Sequence, residues 1–156
     1  MIKLRPMLQQ EYAAYLAYFL PDYALEITAN YDLSPADALA QAKQEIATDL
    51  PDGVDTDGQV LLSVLGQDEG LAGYLWYRPD LPAQSAFIYD FHILPGLQGK
   101  GLGKAALKAL EALLLEQGIT QIGLRVAADN ARAQRLYRTA GFRVTGLNMI
   151  RRIGGR

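Results

Sequence analysis

The chain has 156 residues, half of them hydrophobic and 21% charged, with a formal net charge of -2 and a pI near 5.3. This length and balance excludes fibrous and disordered classes, and the lack of an overall positive field argues against nucleic acid or an anionic membrane as partner. With no cysteine, disulfides, thiolate nucleophiles and cysteine metal sites are all excluded.

The opening stretch "MIKLRPMLQQEY" has no apolar h-region, and no apolar run reaches the length of a membrane span. One soluble, cytoplasmic domain over 1–156 is therefore expected. Residues 2–5 ("IKLR") read as a short strand ended by Pro6. From Gln9 to about Asn30, Tyr12, Tyr15, Leu16, Phe19 and Leu20 recur at helical spacing, with Pro21 expected to break or kink the element. A second helix starts at Ser34 as N-cap with Pro35 behind it and Asp37 at the third position, and Pro51 stops it. "PDGVDTDG" (51–58) reads as a loop. Its aspartates do not meet the twelve-residue calcium pattern.

"QVLLSVLG" and "LAGYLWYR" flank "QDEG" as a hairpin. In "AFIYDFHIL" (86–94), strict alternation sets Phe87, Tyr89, Phe91 and Ile93 on one face and Ile88, Asp90, His92 and Leu94 on the other. Both faces carry bulk, which predicts a central strand. A helix over about 101–117 follows, stopped by Gly118. Then come a strand at 119–126, a helix at about 131–140 stopped by Gly141, and a last strand from Phe142 to about Arg152. The order is strand, helix, helix, three strands, helix, strand, helix, strand: an α/β fold with a mixed sheet and helices on both faces.

"PGLQGKGLGKAAL" (95–107) sits where the central strand ends and a helix begins. A helix N-terminus offers unpaired N–H groups and the positive end of a dipole, so it attracts anions. Glycines at 99, 101 and 103 let an anion approach the backbone, and Lys100 and Lys104 add charge. The nucleoside-triphosphate loop fails because Leu102 follows Gly101 where lysine is required, and the dinucleotide fingerprint fails at Lys104. A bare tight turn is the plain alternative.

"QGKGLG" (98–103) resembles the coenzyme A signature Q/R-x-x-G-x-G/A of the GNAT superfamily of N-acetyltransferases. "NARAQRLYRTAGF" (130–142) resembles that family's N-x-x-A-x-x-L-Y-x-x-x-G-F segment, with Asn130, Ala133, Leu136, Tyr137, Gly141 and Phe142 in place. The resemblance covers essentially the whole chain. It implies a GNAT-like acyl-CoA N-acyltransferase fold whose strands 86–94 and 119–127 splay apart around acetyl-CoA. The pantetheine arm would pair with the backbone of Phe91, His92 and Ile93, and the pyrophosphate would take amide hydrogens from Gln98, Gly99, Lys100, Gly101, Leu102, Gly103 and Lys104. Asn130 would hydrogen-bond the arm, with Ala133 and Tyr137 beside the coenzyme.

For catalysis, the resemblance implies that an Ile93 amide polarises the carbonyl and that Tyr137 protonates the leaving thiolate, against a core-packing role for Tyr137. Several relatives carry glutamate or histidine at the positions of Phe87 and Tyr89, and this chain departs from that at both. Asp90 is the nearest carboxylate and a candidate base, turned away from Tyr89 unless a bulge intervenes; a helix-capping or buried hydrogen-bonded aspartate is the plainer reading. Water relayed through Tyr89 is another route. His92, the sole histidine, has Asp90's facing problem, and no metal is expected. Tyr12, Tyr15, Tyr18, Phe19, Tyr23, Trp76 and Tyr77 would gather near the acceptor as a cation–π cradle or simply as core.

The expected activity is acetyl transfer from acetyl-CoA to a primary amine, on a small molecule or a protein. The alternative is a coenzyme A-sensing module without turnover. Oligomeric state is open, a homodimer included.

Overall fold

A computed structural model describes residues 2–154. Along the chain run β1 (Lys3–Pro6), α1 (Tyr12–Tyr31), α2 (Pro35–Asp49), β2 (Val60–Leu65), β3 (Leu71–Asp80), β4 (Ser85–Ile93), α3 (Leu102–Glu116), β5 (Gln121–Leu124) and α4 (Ala131–Thr139). The sheet order is β1-β2-β3-β4-β5, antiparallel up to β4 and parallel between β4 and β5.

Local chemistry accounts for the helix ends. Ser34 Oγ accepts from the Asp37 amide at 3.1 Å, and Pro35 fills the first position of α2, where no intrahelical donor is needed. In α3, Ala106, Leu107, Leu110 and Leu114 are buried in one stripe, which packs on Leu62, Leu75, Tyr77, Ile88 and Ile93 of the sheet. The other face is covered by α1 and α2, where Tyr15, Phe19 and Ile46 meet Leu61, Tyr74 and Trp76. Helices therefore shield both faces of a mixed sheet, as the element order predicts.

Four sequence expectations are corrected. Pro21 does not break α1, which runs unbroken from Tyr12 to Tyr31. Both Pro21 and Ala17, whose carbonyl loses its donor, are exposed, so that carbonyl is not left in an apolar core. Tyr77 packs on the α3 side of the sheet while Trp76 faces α1, as residues adjacent in a strand must. Tyr77 is thus removed from the expected acceptor cradle. The strict alternation of β4 also fails, as described below. Finally, no strand forms over 142–152 among the described residues: residues 143–154 are exposed throughout, and a strand without a ladder partner has no hydrogen bonds to hold it.

The first turn before α1 is pinned by one carboxylate. Glu11 accepts from both terminal nitrogens of Arg5 at 2.8 Å, from the Leu8 amide at 2.8 Å and from Ser63 Oγ at 3.1 Å. It thereby ties α1 to β1 and β2. The Arg5 bonds hold the Glu11 carboxyl down at about 2 against an ordinary 4.5. Because the folded state prefers the ionised form, this stabilisation is present above pH 4.5 and is lost as pH falls toward about 2. Glu11→Gln is expected to cost about 1–3 kcal/mol in urea denaturation at neutral pH, with the difference from the parent shrinking on acidification through that window.

Candidate active site

The β3–β4 register steps from Trp76↔Asp90 directly to Tyr77↔Ile88, leaving Tyr89 as an extra residue on β4. This bulge shifts the side-chain phase. Ala86 and Ile88 before it, and Phe91 and Ile93 after it, all face α3. Tyr89 stacks on Trp76 at 4.8 Å, and Asp90 reaches the tyrosines of α1, so Tyr89 and Asp90 come to lie on one side. The sequence-based faces, which put Ile88 with Asp90 and Phe91 with Tyr89, are corrected accordingly.

Asp90 lies under α1, where Tyr15 Oη donates to one carboxylate oxygen at 2.9 Å and Tyr18 Oη to the other at 3.1 Å. Tyr15 and Tyr18 are one helical turn apart, so both point down from the same face. Burial pushes the Asp90 carboxyl up to about 7, the two phenol hydrogen bonds pull it down, and nearby Asp22 and Glu26 raise it further. His92 stacks on Tyr18 with centroids 3.7 Å apart; burial lowers its pKa, against a smaller opposing effect of Asp22.

Tyr137, half-buried on α4, packs edge-on against Phe142 at 5.5 Å and against the α3-side core. Burial, and then the charges of Asp90 and Glu26, push its hydroxyl well above the ordinary value. Tyr137 is therefore a protonated donor within electrostatic reach of Asp90. Tyr89 is exposed, held by Trp76 and by Phe87 at 5.1 Å.

The β4–β5 ladder ends at Ile88↔Leu124, although β4 continues to Ile93. Beyond Ile88 the two chains part and leave a gap. The Leu94 amide bonds Ala72 on β3, so by alternation the Ile93 amide and carbonyl point the other way, into the gap. Gln98 Nε2 donates to that carbonyl at 2.8 Å, and Arg132 of α4 donates to Gln98 Oε1 at 2.6 Å. Gln98 thus braces the loop entering α3 between β4 and α4.

In that loop Gly99 and Gly101 have φ of +80° and +79°, a region costly to any residue with a Cβ. Gly101 is the N-cap of α3 and offers no capping side chain, so the first amides of α3 face outward without one. Lys100 and Lys104 are exposed beside them. Gly103 presses against Leu136 of α4, and Leu102 packs into the core. Asn130 caps α4, its side-chain oxygen accepting from the Ala133 amide at 3.0 Å, which leaves its NH2 as the donor group of that side chain. Ala133 is partly buried on the same turn. A Cβ on Gly73 of β3 would collide with the His92 carbonyl, so β4 can approach β3 this closely only with glycine there.

Sequence reasoning placed Tyr15 and Tyr18 near the acceptor but missed that they donate to Asp90; their spacing of three was the available signal. Asp22 and Glu26, on the same helix, and Arg132 were also missed. Among the described residues no group of three or more His, Cys, Asp or Glu is placed to hold a metal, and no helix is long and apolar enough to cross a membrane.

A mixed sheet splayed between two parallel strands, with a glycine-rich helix entrance at the splay, is the architecture of a coenzyme-dependent acyltransferase. The acetyltransferase (GNAT) family model matches residues 12–142, and the chain belongs to that family. It is 36% identical over 154 residues to the N-acetyltransferase YycN of Bacillus subtilis, covering 97% of this chain and 99% of that one. The YycN crystal structure superposes with a TM-score of 0.93 over 99% of this chain and 100% of that one, at 35% identity. The PaiA N-acetyltransferase of Thermoplasma acidophilum, solved with coenzyme A, shares the fold at 16% identity with a TM-score of 0.71, covering 95% of this chain and 93% of that one. The chain is thus an acetyltransferase by class, on a fold that binds acetyl-CoA.

The raised pKa of Asp90 has a consequence for stability. In the unfolded chain its proton leaves near 3.8, whereas the fold retains it to about 7, so stability is lost as pH rises through that interval. Asp90→Asn, which carries no charge, is expected to melt at a higher temperature than the parent above pH 7, and the gap should close toward pH 3.8. Melting curves across that range check it.

Proposed function

We propose that the protein moves the acetyl group of acetyl-CoA directly to a primary amine, with Asp90 as the base and Tyr137 as the acid. The observation that carries this reading is the Asp90 carboxylate, clamped by Tyr15 and Tyr18 and poised at about 7. Bound acetyl-CoA supplies the activated thioester. The outward amides at the start of α3 and the lysines beside them suit a pyrophosphate. The β4–β5 gap suits an extended arm alongside Phe91–Ile93, with the Asn130 NH2 as a further donor.

A lysine-like amine, with a pKa of ~10.4, costs about 4–5 kcal/mol to deprotonate at neutral pH. Asp90, ionised above about 7, takes that proton, directly or through a water beside Tyr89, and the two phenols stabilise the carboxylate beforehand. The Ile93 amide, fixed in the strand and aimed into the gap, donates to the thioester oxygen as charge builds there. As the amine nitrogen bonds to the carbonyl carbon and the C–S bond breaks, Tyr137, held protonated by burial, gives its proton to the leaving sulfur and recovers one from the nitrogen of the new amide.

Asp22 and Glu26 add negative charge near Asp90, and Glu26 does so near Tyr137 as well, which favours a cationic acceptor. Tyr12, Tyr15, Tyr18, Phe19, Tyr23 and Trp76 line the same side.

The test is thiol release across an amine panel. kcat/KM is expected to rise with pH through about 7. Asp90→Asn should remove that limb and lower the rate roughly 10²–10⁴-fold. Tyr15→Phe, which removes one donor to the ionised carboxylate, should move the limb upward. Tyr137→Phe should lower the rate by about 10²-fold or more while coenzyme A still binds in calorimetry. A pH profile unchanged in Asp90→Asn would overturn the assignment of the base.

In the anion loop, Gly101→Ala is expected to cost about 1–3 kcal/mol for its left-handed backbone and to weaken coenzyme A binding measured by the same calorimetry.

A further inference from the structure

Two side chains of β4 hold one side chain of α1. Beyond the bulge, Asp90 and His92 are two residues apart and so share the face turned toward α1. Tyr18 meets both. Its hydroxyl donates to Asp90 at 3.1 Å, and its ring lies on the His92 imidazole with centroids 3.7 Å apart and planes tilted by 12°. The Tyr74 ring of β3 lies farther from it, at 5.9 Å. The two phenols on Asp90 are not held alike. Tyr15 is fully buried and packs on Phe19 at 5.6 Å and on Tyr74 at 5.0 Å, so packing alone fixes its hydroxyl. Tyr18 is only partly buried against the same cluster. A partly exposed side chain that must keep one rotamer to make a hydrogen bond loses freedom, and that loss subtracts from the bond. The flat face of His92 restricts the ring in advance.

His92 is itself firmly seated. The ladder pairs it with Tyr74 and pairs Ile93 with Gly73, the Leu94 amide bonds the Ala72 carbonyl at 2.8 Å, and Gly73 lets the His92 carbonyl lie closer to β3 than a Cβ would permit. Its charge state suits the place as well. Burial lowers its pKa, against a smaller effect of Asp22, so the ring stays uncharged while Asp90 titrates near 7. The titratable groups around Asp90 are Tyr15, Tyr18, Asp22 and Glu26 of α1, Tyr137 of α4, and Tyr89 and His92 on its own strand; Trp76, opposite on β3, carries no charge. Of these, Tyr15 and Tyr18 bond the carboxylate and favour its ionised form.

We propose that His92 is a positioning residue: by stacking on Tyr18 it holds the phenol hydroxyl on Asp90 and thereby fixes the pH at which that carboxylate becomes available as a base. Its effect on rate rests on the reading of Asp90 as the base; its effect on the titration of Asp90 does not. One strand thus supplies both the carboxylate and the surface that aims a donor at it, and the bulge at Tyr89 turns the two toward α1 together.

The Asp90 carboxyl can be titrated directly by carbon NMR of the full chain with labelled aspartate, its signal assigned by its loss in Asp90→Asn. Tyr18→Phe removes a donor to the ionised form and is expected to raise the midpoint by about 0.5–1 in pH. His92→Ala should raise it by most of that amount. The double variant should go no further than Tyr18→Phe alone, because His92 acts through the Tyr18 hydroxyl. His92→Phe, which keeps a flat ring and has nothing to titrate, should leave the midpoint where the parent has it. Should His92→Ala lose its fold by circular dichroism, His92→Leu takes its place, filling volume without a stacking face. The limb of kcat/KM should move in the same order. An unmoved midpoint in His92→Ala, a shift that adds in full to that of Tyr18→Phe, or a shift in His92→Phe as large as in His92→Ala overturns the proposal. Midpoints that move as expected beneath an unmoved rate limb uphold it and overturn Asp90 as the base instead.

Discussion

The extra residue at Tyr89 in β4 governs how the two halves of this molecule meet. By stepping the register from Asp90 to Ile88 against adjacent residues of β3, it lets one strand keep Ala86, Ile88, Phe91 and Ile93 in the α3-side core while turning Asp90 toward α1. A regular strand of the same sequence would force a choice between burying Ile88 and burying Ile93, or would set Asp90 among leucines. The bulge resolves that conflict, and the carboxylate goes where two phenols can meet it.

Those phenols explain why an acidic side chain is tolerated there. Burying a carboxylate is costly unless it is hydrogen-bonded, and Tyr15 and Tyr18 are themselves side chains whose hydroxyls need a partner when buried. Each satisfies the other. The balance leaves Asp90 near neutrality in its titration, a state suited to taking a proton and giving it up again. It leaves the fold less stable at alkaline pH than an uncharged side chain would, a common trade at reactive sites.

The second organising feature is the early end of the β4–β5 ladder. Four residues pair, then the ladder stops, and beyond the end of β4 the chain enters the left-handed turn at Gly99 and Gly101. Gln98 spans from the Ile93 carbonyl to Arg132, so the turn, the strand and α4 hold a common geometry. Backbone donors fixed in this way need little reorganisation when charge approaches.

Much of this could be read along the chain because it depends on near neighbours. Ser34 and Pro35 mark a helix start, the leucine stripe of α3 marks a buried face, and the glycines at 99, 101 and 103 ahead of that stripe mark an anion-binding helix entrance; periodicity and turn chemistry are local properties. The bulge, by contrast, reflects competition between two cores on opposite faces of β4, which no spacing rule contains. The Tyr15 and Tyr18 bonds to Asp90 join residues more than seventy positions apart. A strand over 142–152 fits the alternation of its side chains, but a strand exists only with a partner to share its hydrogen bonds. The sequence by itself determined which segments fold, which faces are apolar and where an anion can sit; tertiary structure alone decided which side of β4 carries Asp90 and which segments find a ladder, because both depend on what packs across the sheet.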